Sequence, residues 1–455
     1  MKSLSLKEII DAVDGVFKGD VNTSEIFINH ITTDTRKIQE GDLFIPLKGD
    51  NFDGHDFLSQ AFEKGAKCCF SEIETPLSNL ILVKDTKKAL RDLAKYYRSL
   101  FSIPVVAITG SVGKTTTKDL IASVLSQKYN VLKTEGNFNN EIGLPLTIFC
   151  LEDFHEVAVL EMGMNSFGEI HNLSEIAKPD IAVITNIGVS HIENLGSRDG
   201  ILKAKCEIFD FINKKGTAVL NADDDKLITL NDKLENKISW YGICNKSGIY
   251  ADKIQTKGLE GISCKIHTQL GEFCTDIPVS GEHMVYNAMS ATIVGILLKL
   301  NLEEIKKGIE QFIPSKMRMN ILNTNSGIKI INDSYNANPV SMKAAIDVLK
   351  NAQRRTVCIL GDMLELGEYT KDMHYEVGSY AAQKKIDCII CIGTFAKYIA
   401  EGAKKEKDST VFFYADKEEF FEKGLQILKS DDTVLVKASR GMHFEKIVEK
   451  IQEVK

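Results

Sequence analysis

The chain has 455 residues, of which 44% are hydrophobic and 26% charged, and its formal net charge is −7. At roughly 150 residues per domain this length predicts about three globular domains, and the proportions exclude a mainly disordered, collagenous or fibrous chain. The acidic balance argues against a broad nucleic-acid-binding surface, although a local phosphate site needs only backbone amides.

The N-terminus, Met1-Lys2-Ser3-Leu4-Ser5-Leu6-Lys7-Glu8, is broken by charge too early for a signal-peptide core. The first 85 residues carry short strands and turns, a helix follows over 87–100, and 104–108 reads as a fully buried strand. Strands at 156–162, 181–187 and 217–221 then alternate with helical patterns, the signature of βαβ units. Between 237 and 280 short strands with glycine turns predict a small antiparallel sheet, and helices follow over 283–300 and 302–312. Pro314 reads as a hinge. Beyond it alternation restarts, with strands at 329–332, 357–360, 388–392, 411–414 and 434–436. The fold class is therefore α/β in three domains: a small N-terminal one, a central parallel-sheet one, and a C-terminal Rossmann-like one without a dinucleotide motif.

No apolar run approaches the roughly 18 residues of a membrane span, so no membrane insertion is expected. The ten cysteines are scattered, and Cys388 and Cys391 fall within a predicted buried strand, so both read as core thiols of a cytoplasmic protein.

The sharpest chemical signal is Thr109-Gly110-Ser111-Val112-Gly113-Lys114-Thr115-Thr116, which follows a buried strand and opens a helix. That context defines a phosphate-binding loop. Its amides cradle phosphate oxygens, Lys114 reaches the β- and γ-phosphates, and Thr115 offers a hydroxyl to Mg²⁺. Ile108 stands where the general pattern has a further glycine. At strand ends beyond the loop lie Glu161 and His191, placed where ligands bind an open parallel sheet. Taken alone, Lys205 reads as part of a solvated helix face.

Further segments complete a pattern. These are Asp34-Thr35-Arg36, Gly136-Asn137-Phe138-Asn139-Asn140-Glu141-Ile142-Gly143, Glu161-Met162-Gly163-Met164-Asn165 and Lys203-Ala204-Lys205-Cys206-Glu207-Ile208-Phe209. The C-terminal part adds Asp333-Ser334-Tyr335-Asn336-Ala337-Asn338-Pro339, Gly361-Asp362-Met363-Leu364-Glu365-Leu366-Gly367 and Lys437-Ala438-Ser439-Arg440. With these the chain resembles, end to end, the Mur ligases, ATP-dependent peptide synthetases of peptidoglycan assembly. It is most similar to their dipeptide-adding branch, because the Asp-Asn-Pro-Arg type motif of the diamino-acid-adding relatives is absent.

The resemblance implies three roles in order: a UDP-substrate domain over 1–85, an ATP-binding domain over 86–314, and a dipeptide-binding domain over 315–455. It implies ATP and two Mg²⁺ ions, held by Thr115, Glu161, His191 and a carbamylated Lys205. Gly110, Ser111, Val112, Gly113, Lys114, Thr115 and Thr116 would cradle the phosphates, Asn287 the adenine, Asp333 the ribose, and Arg318 would close on the phosphates. Catalytic roles fall to Lys114, Glu161, His191, Lys205 and Arg318. Substrates would meet Asp34, Thr35, Arg36, Lys48, Asn137, Asn139, Asn140, Asn165, Ser334, Tyr335, Asn336 and Asn338, with 361–367 and 437–440 as site wall. The implied partners are UDP-N-acetylmuramoyl-tripeptide and D-alanyl-D-alanine, joined through an acyl phosphate by a monomer. Alternatives are a diamino-acid-adding Mur ligase, a folylpolyglutamate synthase, or a P-loop regulatory NTPase.

Overall fold

The computed structural model describes residues 1–49, 51–405 and 409–453. Strands and helices alternate along the chain and pack into two units. One comprises Met1–Ala107, Tyr129–Ala182 and Glu207–Gly216; the other comprises Ile108–Lys128, Val183–Cys206 and Thr217–Lys455. Among the described residues no helix is long and apolar enough to cross a membrane.

In the first unit, five short strands form a sheet in the order Val16–Lys18, Leu80–Leu82, Cys68–Ser71, Leu43–Phe44, Ile31–Thr32. Only the Val16–Lys18 edge is antiparallel. The helix Thr86–Ser99 starts where the Asp85 carboxylate accepts from the Lys88 amide. Its Ala89, Leu90, Leu93, Ala94 and Tyr97 recur at helical spacing and are buried, so one face of this helix belongs to the core. Strand Val157–Glu161 pairs in parallel with Val131–Lys133 and is buried throughout, as its unbroken apolar run predicts. Glu161 ends it, which places a carboxylate at the strand's C-terminal tip.

The second unit begins with the tip of the buried strand Val105–Thr109 and the helix Lys114–Leu125. That helix packs against His283–Leu297 and Leu302–Glu310. The approach is close because a Cβ on Gly308 would come within 2.4 Å of the Val124 Cα. Ser123 Oγ also donates to the Gly308 carbonyl over 2.7 Å. The helix carrying the phosphate loop is therefore fixed along its length. The helix at His283 stops at Leu297, short of the predicted end, and Lys299 then takes a left-handed backbone with φ +63°.

Strands Thr217–Asn221, Lys237–Gly242 and Ile249–Thr256 run parallel, and Ile262–Thr268 and Gly271–Ile277 add to them antiparallel. The predicted antiparallel strands thus extend the parallel ones within a single sheet.

The C-terminal part is a six-stranded sheet ordered Asn320–Asn323, Lys329–Asn332, Thr433–Lys437, Thr356–Gly361, Cys388–Ile392, Thr410–Tyr414. Only its Asn320–Asn323 edge is antiparallel. Alternate residues serve two cores, with Cys358 and Leu360 on one face and Val357 and Ile359 on the other. The same alternation sends Cys388 and Cys391 to opposite faces, so this C-x-x-C cannot grip one metal. Burial pushes the Cys388 thiol up to about 11. Strand Thr433–Lys437 inserts between two earlier strands, which brings Asp333, Asp362 and Lys437 to one end of the sheet.

Candidate functional site

The phosphate loop has the predicted strand-to-helix setting. Gly113, at φ +82°, is the N-cap of the helix Lys114–Leu125, and no side chain caps it. A helix start with a glycine N-cap and no capping side chain presents its first-turn amides to the loop and forms a ready anion site. The other loop groups are occupied. The Ser111 amide donates to the Asn186 carbonyl over 3.0 Å, and the Val112 amide donates to Asn186 Oδ1 over 3.0 Å. The Val112 carbonyl accepts from Asn186 Nδ2 at 2.9 Å and from Thr185 Oγ1 at 2.7 Å. Gly110 is required here, because a Cβ would lie 1.9 Å from Thr185 Oγ1. Thr185 and Asn186 escaped sequence reasoning. Strand Ile181–Ile184 ends before the predicted 187 because these two residues turn to hold the loop. Their one sequence signal is a polar Thr-Asn pair closing an apolar run.

Lys114 Nζ donates to the Gly110 carbonyl over 2.9 Å, which folds the ammonium over the loop. Lys205 sits on the helix Arg198–Cys206 and is buried together with Ile201 and Ala204. That i, i+3, i+4 stripe is the buried side of the helix, so Lys205 does not lie on a solvated face. Desolvation, and then the Lys114 charge, hold its ammonium well below the ordinary lysine range.

A cleft opens beside the loop, lined among others by Gly113, Thr116, Asn287, Arg318, Asp333 and Lys437. Asn287 Oδ1 accepts from Thr117 Oγ1 at 3.1 Å, which ties the expected adenine contact to the loop helix. The Arg318 guanidinium lies 4.0 Å over the Tyr335 ring, and its Nη2 donates to Thr115 Oγ1 over 3.3 Å. Arg318 Nε is buried without a partner. Asp333, the expected ribose contact, forms a buried ion pair with Lys437, whose Nζ also donates to the Asn336 carbonyl over 2.9 Å. Burial lowers the Lys437 ammonium, and Asp333 opposes that shift.

His191 takes a left-handed backbone, φ +63°, as the N-cap of the short helix Ile192–Leu195. Its Nδ1 lies 2.8 Å from Glu365 Oε2, and the imidazole holds the Glu365 carboxyl below the usual carboxylate range. Sequence reasoning put Glu365 only in the site wall. In the loop 333–339, Ser334 Oγ donates to Asn332 Oδ1 over 2.7 Å, and Asn336 Oδ1 accepts from the Ala337 amide at 2.9 Å. Asn338 caps the helix Pro339–Lys350, and its Nδ2 donates to Ser190 Oγ over 3.1 Å. Ser334 is thus engaged within its own loop, Asn338 both caps its helix and reaches Ser190, and Tyr335 supplies the arginine platform.

Among the predicted residues of the first unit, Glu161 is buried, and its Oε1 accepts from Asn139 Nδ2 at 2.8 Å. Its Oε2 is buried with no partner, which fits a carboxylate made to meet a hard cation. Asn140 Oδ1 accepts the Gly143 amide at 2.8 Å, a role within its own loop, and Asn137 and Asn165 are exposed. Arg36 grips Asp34 through two 2.9 Å bonds, and that pairing holds the Asp34 carboxyl at about 2. Lys48 pairs with Glu72 at 2.6 Å. Asp34, Thr35, Arg36 and Lys48 line one open cleft, to which the exposed Phe52 adds a ring that sequence reasoning assigned only to a loop. Among the described residues no three His, Cys, Asp or Glu side chains gather into a metal cluster. Mg²⁺ suits such sparse ligands, since it keeps waters and phosphate oxygens.

Three family models match the chain: the Mur ligase family catalytic domain over 27–98, the Mur ligase middle domain over 108–295, and the Mur ligase glutamate ligase domain over 317–440. The UDP-N-acetylmuramoyl-tripeptide–D-alanyl-D-alanine ligase of Bacillus subtilis (strain 168) is 40% identical over 99% of this chain and 98% of its own length. The Escherichia coli (strain K12) enzyme of that name is 33% identical over 100% of this chain and 99% of its own. A crystal structure of MurF from Acinetobacter baumannii superposes with a TM-score of 0.93 at 32% identity, covering 100% of both chains. MurF from Thermotoga maritima, solved in complex with ADP, gives 0.82 at 28% identity, covering 93% of this chain and 97% of that one.

Proposed function

The chain belongs to the Mur ligase family, and from that premise we propose that it joins D-alanyl-D-alanine to UDP-N-acetylmuramoyl-tripeptide, driven by conversion of ATP to ADP and phosphate. The first-turn amides of the helix Lys114–Leu125 and the Lys114 ammonium bind the β- and γ-phosphates. Asn287 and Asp333 orient the nucleoside. The tripeptide's terminal carboxylate attacks the γ-phosphorus in line, ADP leaves, and an acyl phosphate forms. Arg318, in reach of the Thr115 hydroxyl, meets the charge on the transferring group. The dipeptide amine then attacks the acyl carbon, and phosphate leaves the tetrahedral intermediate as the amide forms. Surrounding residues position the reactants and exclude water, which would otherwise hydrolyse the acyl phosphate.

Two Mg²⁺ ions, when bound, spread the negative charge of the phosphoryl group, and Thr115, Glu161, His191 and carbamylated Lys205 are the residues that would hold them. The lowered Lys205 ammonium supports that role, because only the neutral amine adds CO₂. We assign the UDP moiety to residues 1–85, ATP to 86–314 and the dipeptide to 315–455, in a monomer working in the cytoplasm.

The observation that carries this reading is the extent of the likeness: 40% identity holds over 99% of the chain rather than over the phosphate loop alone. Phosphate release from ATP should require both the UDP-tripeptide and the dipeptide. Robust turnover with neither present refutes the ligase reading in favour of a regulatory NTPase.

A further inference from the structure

The site wall holds a guanidinium with no part in this mechanism. Arg440 opens the turn after strand Thr433–Lys437, and its side chain is 48% exposed. A Cβ on its neighbour Gly441 would lie 3.3 Å from Leu364, so the turn packs beside the loop 361–367. The Arg440 guanidinium is 5.8 Å from the Tyr335 ring, the same ring that carries Arg318 at 4.0 Å. One aromatic platform thus serves two guanidiniums, one in reach of Thr115 and one open to solvent.

We propose that Arg440 binds the terminal carboxylate of the incoming dipeptide, an assignment that rests on the ligase reading above. The dipeptide carries its nucleophilic amine at one end and a carboxylate at the other, about 7 Å away when extended. The amine must reach the acyl phosphate beside Lys114 and Arg318. Its carboxylate therefore needs a cation about one dipeptide length from the phosphate loop. The neighbouring cations are committed: Lys437 is buried against Asp333, and Arg318 faces Thr115. Arg440 is held at 3.2 Å by Glu445, whose other oxygen lies 3.2 Å from His443 Nδ1. Both polar approaches to Arg440 use Nη1. Nε and Nη2 remain as a planar fork suited to a carboxylate.

The test compares D-alanyl-D-alanine with its C-terminal amide, using the full-length wild type, Arg440→Ala and Arg440→Lys. For the wild type, amidation should lower kcat/KM at least about tenfold, the loss expected when a hydrogen bond to a charged group goes unmade. Arg440→Ala should lower kcat/KM for the free acid by a similar factor and bring the acid-to-amide ratio close to one, with the KM for ATP unchanged. Arg440→Lys keeps the charge without the fork and should fall between. A wild-type ratio near one, or a full ratio surviving in either variant, overturns the proposal. No product from the wild type with D-alanyl-D-alanine defeats the ligase reading itself, and this proposal with it.

Discussion

Replacing Asn186 with alanine removes two hydrogen bonds to a single residue of the phosphate loop, one to the Val112 amide at 3.0 Å and one to the Val112 carbonyl at 2.9 Å. The carbonyl keeps Thr185 Oγ1 at 2.7 Å, whereas the amide loses its side-chain acceptor. At about 1 kcal/mol net per bond, the loop loses about 2 kcal/mol of fixation. Because the anion site depends on that loop being held in place, ATP affinity should fall by up to about 30-fold, at about 1.4 kcal/mol per decade. Thr185→Val removes one donor and should weaken ATP about fivefold on the same per-bond figure. The double variant should lose more than the sum in free energy, since it strips the Val112 carbonyl of both side-chain donors while each single variant leaves one. Asn186→Asp keeps the acceptor, loses the donor and sets a carboxylate against the Val112 carbonyl, so it should bind at least as poorly as Asn186→Ala. Calorimetric titration with ADP or a non-hydrolysable ATP analogue reads these affinities, and circular dichroism checks the fold. Affinity for Asn186→Ala within twofold of the wild type would refute the claim that Asn186 holds the loop.

Lys205→Ala should abolish ligation, with partial recovery on adding a short-chain carboxylic acid; an unaffected enzyme would remove Lys205 from the mechanism. In CO₂-free buffer at neutral pH the unfolded state binds a proton at Lys205 that the folded state resists. The cost of holding that amine neutral should therefore shrink as pH rises towards the ordinary lysine range, so Lys205→Met should resist urea better than the wild type by a margin that shrinks over that rise. Equal urea midpoints at neutral pH would contradict this. Gly110→Ala, with a Cβ 1.9 Å from Thr185 Oγ1 and φ +151°, should lose nucleotide binding, and tight ADP binding by that variant would contradict the loop geometry. A thiol reagent should label the exposed Cys150, Cys244 and Cys274 first and Cys206 more slowly, while the six buried thiols wait for unfolding. Rapid native labelling of Cys388 or Cys391 would show that their strand is not core.

Much of this structure is legible in the sequence because it rests on local rules. Apolar runs such as 157–160 and 181–184 mark buried strands, and Asn338-Pro339 marks a helix start through capping and a preset φ. The phosphate loop is legible because its glycines meet a backbone requirement that other residues fail. Long-range partnerships are not legible. Asn186 pairs with a residue 74 positions away, and Lys437 pairs with Asp333 across 104 positions. Neither spacing leaves a periodic trace. The burial of Lys205 was available in the Ile201, Ala204, Lys205 stripe, but its flanking charges, Lys203 and Glu207, mask that stripe. The pairing of His191 with Glu365 depends on two left-handed residues, and nothing in a His or Glu codes for that conformation.

Mass spectrometry of the product formed from ATP, D-alanyl-D-alanine and UDP-N-acetylmuramoyl-tripeptide decides whether this chain is a dipeptide-adding ligase. One new species is expected, heavier than the tripeptide substrate by a dipeptide less one water, in step with ADP and phosphate. ATP consumption without that species, or a product carrying a single diamino acid when both acceptors are offered, would contradict it.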